Sequence, residues 1–300
     1  MSAAGPQLEF SLANLEDSSA DATVLRIMLG SQLRRLREAA GITPERAGYE
    51  IRASESKINR LEKGKVGPKH RDVADLLALY GVTDARLREE FLDLTRRSNA
   101  PDWWAPYHDS LPGWFETYLG LETAAATVRT FETQFVHPLF QTEDYARAAL
   151  LLRGRNMSPG EAERQITLRL ARQDLLHRPN PPRVWSVMDE AALRRQVGGP
   201  AVLRDQLRQL LKVSKLQHVT LQVVPFASGV YAGDAGSFTV LRFAERNLPD
   251  VVYLEQLTSG ACLDQRPDVE HYLRAADEIS SQALTPAQTT QFIKQAAQDL

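Results

Sequence analysis

The sequence predicts two unlike domains. The first is all-α, with five short helices built round a helix-turn-helix. The second is α+β, with a small mixed or antiparallel sheet. Three observations carry this. Apolar residues recur at spacings of three and four from Leu25 to Leu94, with short connections between runs. Three prolines and the aromatics Trp103, Trp104 and Tyr107 then break the pattern, with Trp114 just beyond. After Phe115, stretches of alternating polarity such as Val219 to Val223 are interspersed with helical periods. The boundaries read as a disordered tail at 1–22, a helix-turn-helix domain at 23–98, a linker at 99–114 and an α+β domain at 115–300. The tail is rich in Ser and Ala, with four acids and no base. The linker aromatics are expected to dock one domain on the other.

In the first domain, Leu25, Leu29, Leu33 and Leu36 make one apolar face of a helix from about Val24 to Ala40, closed by Gly41. Thr43 is an N-cap with Pro44 at the first helical position, where a missing N–H costs nothing. Ser54 caps the next helix, whose Ile58 and Leu61 face inward and which Gly64 ends. A fourth helix spans about Arg71 to Tyr80. Thr83 caps a fifth, with Leu87, Phe91 and Leu94 inward.

The second domain starts with a helix expected over Phe115 to Thr130 and an extended stretch from Phe131 to Phe140. Thr142 caps a helix through Leu152. Ser158-Pro159-Gly160-Glu161 is a capping box opening a long helix to about His177. Strands are expected at Arg183 to Met188, Val219 to Val223, Ser237 to Phe243 and Val251 to Leu257. Asp189 caps a short helix, and another runs from the Gly198-Gly199-Pro200 punctuation to Lys215. Two helices close the chain, the last opened by Thr285-Pro286.

Charge is distributed unevenly. The chain carries 36 Lys and Arg against 38 Asp and Glu. Arg26 to Arg71 nevertheless holds 12 bases and 5 acids, so a polyanion partner is expected at one domain only. The single cysteine, Cys262, cannot form an internal disulfide and fits a reducing compartment. No apolar run approaches the roughly 18 residues of a membrane helix. The N-terminus lacks the basic start and apolar core of a signal peptide. A cytoplasmic protein is expected, with no membrane partner.

The chemistry concentrates on the helix after Ser54. Its polar face carries Ser54, Glu55, Ser56, Lys57, Asn59, Arg60 and Lys63, groups long enough to reach base edges in a major groove. Ser54, Glu55 and Ser56 sit at the helix tip, and Arg60 lies one turn beyond Ser56 on the same face. The Arg60 fork suits guanine. Lys57 and Asn59 lie at the edges and are assigned to phosphate or sugar. Lys63, Lys65, Gln32 and Thr43 are further phosphate candidates, the last two as residues at helix starts. Neutralising about five phosphates gives a log–log salt slope near −4.5. Where the helices cross, Arg37 and Glu62 are expected to form a partly buried ion pair.

Two blocks carry a resemblance. LGSQLRRLREAAGITPERA from Leu29, followed by SESKINRLEKGK from Ser54 and by Pro68, resembles the Cro/repressor (XRE) helix-turn-helix family. The motifs Trp103-Trp104, YLGLE at 118–122, QTEDYARA at 141–148, RLARQDLL at 169–176, DEAALRR at 189–195, QLRQLL at 206–211 and VVYLEQL at 251–257 are similar to actinobacterial regulators of that family. Those proteins have a long C-terminal domain of unknown function and include WhiJ-like and antitoxin-like regulators. The family turn often has glycine where this chain has Arg52, so the turn must place a side chain there. HPLFQT stands at 137–142 where PGLLQT is expected.

The resemblance implies a DNA-binding transcriptional regulator, a repressor in the first instance, and a small partner protein encoded nearby. The partners expected are a double-stranded DNA operator and a second copy of the chain, because such operators usually comprise two half-sites bound by a dimer. The C-terminal domain is the expected source of the dimer interface and of signal input. Alternatives are an antitoxin-like protein-interaction module and a small-molecule sensor built on that domain.

Enzyme readings find little support. The six histidines are scattered without metal-ligand spacing. Asp189-Glu190 opens a helix, which suits capping better than acid/base work. Gly229, Gly233 and Gly236 read as a hairpin turn. Ser228-Gly229 lacks the flanking glycine of a nucleophile elbow, and nothing resembles a phosphate-binding loop. No catalytic residue, cofactor or metal is assigned.

Overall fold

The computed structural model describes residues 22–153, 157–229, 236–244 and 248–300. The expected tail, apart from Ala22, lies outside them. The chain divides into two compact units between Asp102 and Trp103.

Among the described residues the first unit's elements are all helices: α1 (Ala22–Ala39), α2 (Pro44–Glu50), α3 (Glu55–Glu62), α4 (His70–Leu79) and α5 (Ala85–Ser98). The 3.6-residue period sets its core. Leu25, Leu29 and Leu33 of α1, Ile58 and Leu61 of α3, Leu76 and Leu77 of α4 and Phe91 and Leu94 of α5 are all buried. Thr43 and Ser54 cap as their sequence positions require, accepting from the backbone N–H of Arg46 and Lys57. The cap of α5 is Asp84 rather than Thr83. Its carboxylate accepts from the N–H groups of Arg86 and Leu87, which no hydroxyl one residue earlier does.

The second unit is α+β. A 3-10 turn at Ala105–Ser110 leads into α6 (Gly113–Ala124) and β1 (Thr127–Glu132). Then come α7 (Glu143–Arg153), α8 (Pro159–Ala171), β2 (Arg183–Asp189), α9 (Glu190–Arg194), α10 (Pro200–Val213) and β3 (Val219–Val224). The remainder is β4 (Phe238–Arg242), β5 (Val251–Glu255), β6 (Gly260–Leu263), α11 (Arg266–Gln282) and α12 (Pro286–Gln298). The six strands form one mixed sheet in the order β3-β2-β1-β4-β5-β6. The strands β1, β2 and β3 are parallel, whereas β4, β5 and β6 pair antiparallel. Helix α11 covers one face, where Phe131, Val187, Phe238, Val240 and Val252 meet Val269 and Ile279. The outer edge of β3 is closed by the start of α12. Val223 donates its N–H to the Thr289 hydroxyl and accepts at its carbonyl from Leu284.

Several boundaries move. The helix expected to Thr130 stops at Ala124, and Thr127 to Glu132 is a strand at the middle of the sheet. Thr127, Val128, Thr130 and Phe131 are β-branched or aromatic and suit a strand, so the helix ends in the alanine run before them and β1 pairs on both sides. The stretch to Phe140 is not one strand, because Pro138–Phe140 is a 3-10 turn capped by His137. Strand β6 was not anticipated. No hairpin forms between β3 and β4, because β2 and β1 lie between them; Gly233 is outside the described residues. Trp104 packs with Leu119 and Leu168, within the second unit.

Candidate nucleic-acid interface

Helix α3 is held by its inner face. Ile58 and Leu61 are buried, and Gly30 of α1 lies so close that a Cβ there would sit 2.4 Å from the Leu61 carbonyl oxygen. Only a glycine permits α1 and α3 to meet at that point. Below the crossing, the Arg37 guanidinium donates to both carboxylate oxygens of Glu62, at 2.6 and 2.9 Å, and to the Ile42 carbonyl at 2.8 Å. Each residue is 7% exposed. The hydrogen bond to Glu62 raises the Arg37 pKa further. Tyr80 lies in the same buried region, its hydroxyl pKa raised first by burial and then by the Glu62 charge.

The turn between α2 and α3 contains Arg52 at φ 54°. That left-handed conformation costs a residue with a Cβ roughly 1–2 kcal/mol. The turn keeps it because Ala53 donates its N–H to the Gly48 carbonyl at 2.8 Å, closing the end of α2.

The outer face of α3 is a row of polar side chains. Ser54, Glu55, Ser56, Arg60 and Lys63 are exposed, and so are Thr43 and Lys65 on either side. Of the carboxylates near Arg60, Glu62 is bound by Arg37, whereas Glu55 is exposed and accepts only a long 3.4 Å contact from the Asn59 amide. The Arg60 guanidinium makes no hydrogen bond or ion pair among the described residues, and four positions separate it from Ser56 on the same helical face. Lys57 differs. Its ammonium donates to Asp72 at 2.7 Å, tying α3 to α4.

Gln32 stands apart from this row. It lies in the middle of α1, whose backbone N–H groups are committed to the helix, and it is 5% exposed. The helix-start argument for a phosphate contact does not apply to it. Its Oε1 has no hydrogen-bond partner among the described residues. Two residues of α2 that sequence reasoning did not single out are exposed beside the row. Tyr49 is 74% exposed, and the Arg46 guanidinium lies 5.6 Å from its ring centroid.

A rigid helix with a polar, cationic outer face can donate to phosphate and base edges alike. Comparison with known families gives two matches. A helix-turn-helix domain matches residues 28–91, and a domain of unknown function (DUF5753) matches residues 115–295. No curated protein and no solved structure matches the chain.

Proposed function

We propose, for a chain that belongs to the DUF5753 family and carries a helix-turn-helix domain ahead of it, that it is a sequence-specific transcriptional regulator of Cro/repressor type. Helix α3 enters the major groove, with Ser54, Glu55 and Ser56 at its leading end. Arg60 bonds bidentately to guanine, and Lys63, Lys65 and the N-terminus of α2 at Thr43 grip phosphate. Asn59 lies beside them at the groove edge. Lys57 orients α3 through Asp72. Two copies bind two half-sites, with the C-terminal unit supplying the dimer interface and the input that modulates it, from a signal or a small partner protein. The protein represses by occupying its operator, in the cytoplasm and on the nucleoid.

The observation that carries this reading is Arg60. It is an exposed guanidinium on the outward face of α3 that makes no ion pair among the described residues, and Glu62 beside it is taken up by Arg37. The test is selection of bound duplexes from a random library by the full-length protein, followed by titration of the enriched sequence. An enriched motif with two related half-sites, read less strictly by Arg60→Ala, is the expected result. Failure to enrich any sequence above the input library would refute the proposal.

A further inference from the structure

The second unit contains a cavity of about 330 Å³ where the parallel and antiparallel halves of its sheet meet. The chain leaves the C-terminal end of β1 toward β2 on one side, while β4 arrives on the other. In open α/β sheets ligands bind outside the carboxyl ends of the parallel strands, and Glu132 at the carboxyl end of β1 lines this cavity. The volume is at the lower end of the range for small-molecule sites. It is large enough for one compact molecule.

The sheet face beneath the cavity changes character along its length. Val184, Val128, Leu241 and Val251 share one cross-strand row, all apolar and buried. Two residues further along β1 the row reads Ser186, Thr130, Thr239 and Tyr253, each 5% exposed or less. Beyond that come Glu132 and Glu255 at the cavity itself. A face that served packing alone would stay apolar throughout. Its polar end coincides with the cavity.

The walls are built. Tyr118 stacks on Tyr253 with centroids 3.8 Å apart, and Phe115 stacks on Tyr118 at 5.8 Å, giving an aromatic wall. The Arg172 guanidinium lies over the Phe115 and Tyr118 rings, 5.5 Å from each centroid, and makes two hydrogen bonds to Glu122, at 2.8 and 2.9 Å; Tyr118 donates to the same carboxylate at 2.7 Å. The opposite wall is the loop at 136–142. Gln141 donates to the Val136 carbonyl, Gln206 bonds the Phe140 carbonyl and the Thr142 N–H, and Gln173 donates to the Pro138 and Gln141 carbonyls. So many side chains committed to one loop's backbone fix its shape.

Charge narrows the ligand. Among the described residues the lining carries two carboxylates, Glu132 and Glu255, and two guanidiniums, Arg169 and Arg172, and Glu122, outside the lining, already pairs with Arg172. Burial holds His137 neutral, so it adds no cation. A multiply charged anion is therefore disfavoured.

We propose that this cavity binds one small neutral or singly cationic molecule with a planar ring and hydroxyl or amino donors, a chemistry that nucleosides and aromatic amines share. The ring packs on the aromatic wall, and its donors meet Glu132 and Glu255. Binding itself stands apart from DNA recognition; that the ligand is the regulator's signal rests on the function proposed above.

The test is isothermal titration of the full chain with adenosine, guanosine, cytidine, uridine and tyramine, and with the four nucleoside 5′-monophosphates. The expected result is saturable one-to-one binding with Kd below about 1 mM for at least one nucleoside or for tyramine, which separates the two sources. Affinity falls at least tenfold in Glu132→Gln and in Phe115→Ala, and a nucleoside's 5′-monophosphate binds at least tenfold more weakly than the nucleoside. If Phe115→Ala does not fold, Glu255→Gln takes its place. No binding by any probe, equal binding by wild type and Glu132→Gln, or tighter binding of a monophosphate overturns the proposal. Duplex selection without ligand separates the two readings. Titration without sequence enrichment sinks the regulator and leaves the cavity's assignment standing; the converse result does the reverse.

Discussion

Arg37 and Glu62, 25 residues apart, meet guanidinium to carboxylate in two hydrogen bonds at the crossing of α1 and α3. Neither side chain reaches solvent appreciably, so each charge depends on the other. The pair fixes where the outward face of α3 points relative to the rest of its unit. Replacing Arg37 by Met leaves a buried carboxylate unpaired and is expected to destabilise the helical unit by about 3–5 kcal/mol. Arg37→Met combined with Glu62→Leu should recover most of that loss, because no charge is then stranded. Calorimetric melting of the three variants in the full chain checks this. A double variant as unstable as the single would show that the pair does more than neutralise itself.

For the outward face, Arg60→Ala is expected to cost about 1–3 kcal/mol against the preferred operator and to relax preference at one base pair. Lys63→Ala and Lys65→Ala should weaken binding to all sequences alike. Each should also make the log–log salt dependence shallower by about 0.9. Fluorescence anisotropy across a salt series measures both. An unchanged slope for either lysine removes it from the phosphate contacts.

Two backbone positions of the helical unit offer predictions of opposite sign. Arg52→Gly relieves a left-handed residue of its Cβ and is expected to stabilise by up to about 1 kcal/mol. Gly30→Ala forces a methyl group against the Leu61 and Glu62 carbonyls and should destabilise strongly, with loss of DNA binding. Thermal melting of both variants decides. Loss of stability in Arg52→Gly would mean that the arginine side chain contributes contacts beyond its backbone.

Acid should weaken the second unit through His137. Burial pushes its pKa down to about 3, against an ordinary 6.5; Arg172 and Arg169 lower it too, and Glu122 opposes. Between those values the unfolded chain binds a proton that the folded chain refuses. Stability is therefore full above pH 6.5 and falls as pH drops, by roughly 1.4 kcal/mol per unit from this group. Glu122, whose carboxyl is lowered by Arg172 against the opposing effect of burial, adds a loss of the same sign below about its ordinary 4.5. His137→Asn keeps an acceptor for the Leu139 N–H at the 3-10 cap and should flatten the profile between pH 6.5 and 5. Urea unfolding at a series of pH values checks it. An unaltered slope in the variant would place the proton uptake elsewhere.

The sequence by itself determined the helical half of the fold. Helical periods and caps are local, so Leu25, Leu29 and Leu33 could be placed inward and Thr43 and Ser54 at helix starts without knowledge of any partner. The polar row on α3 was legible for the same reason: position on a helix fixes which side chains share a face. What only the tertiary structure decided is everything that depends on distant pairing. Thr127 to Glu132 became the middle of a sheet because β2 and β4 flank it, a pairing that no local pattern shows. Lys57 was diverted to Asp72, and Gln32 was buried, by neighbours that spacing does not reveal. The cavity draws on residues from Phe115 to Glu255, and no local pattern gathers them. Only the register of the strands brings Thr130, Thr239 and Tyr253 onto one face.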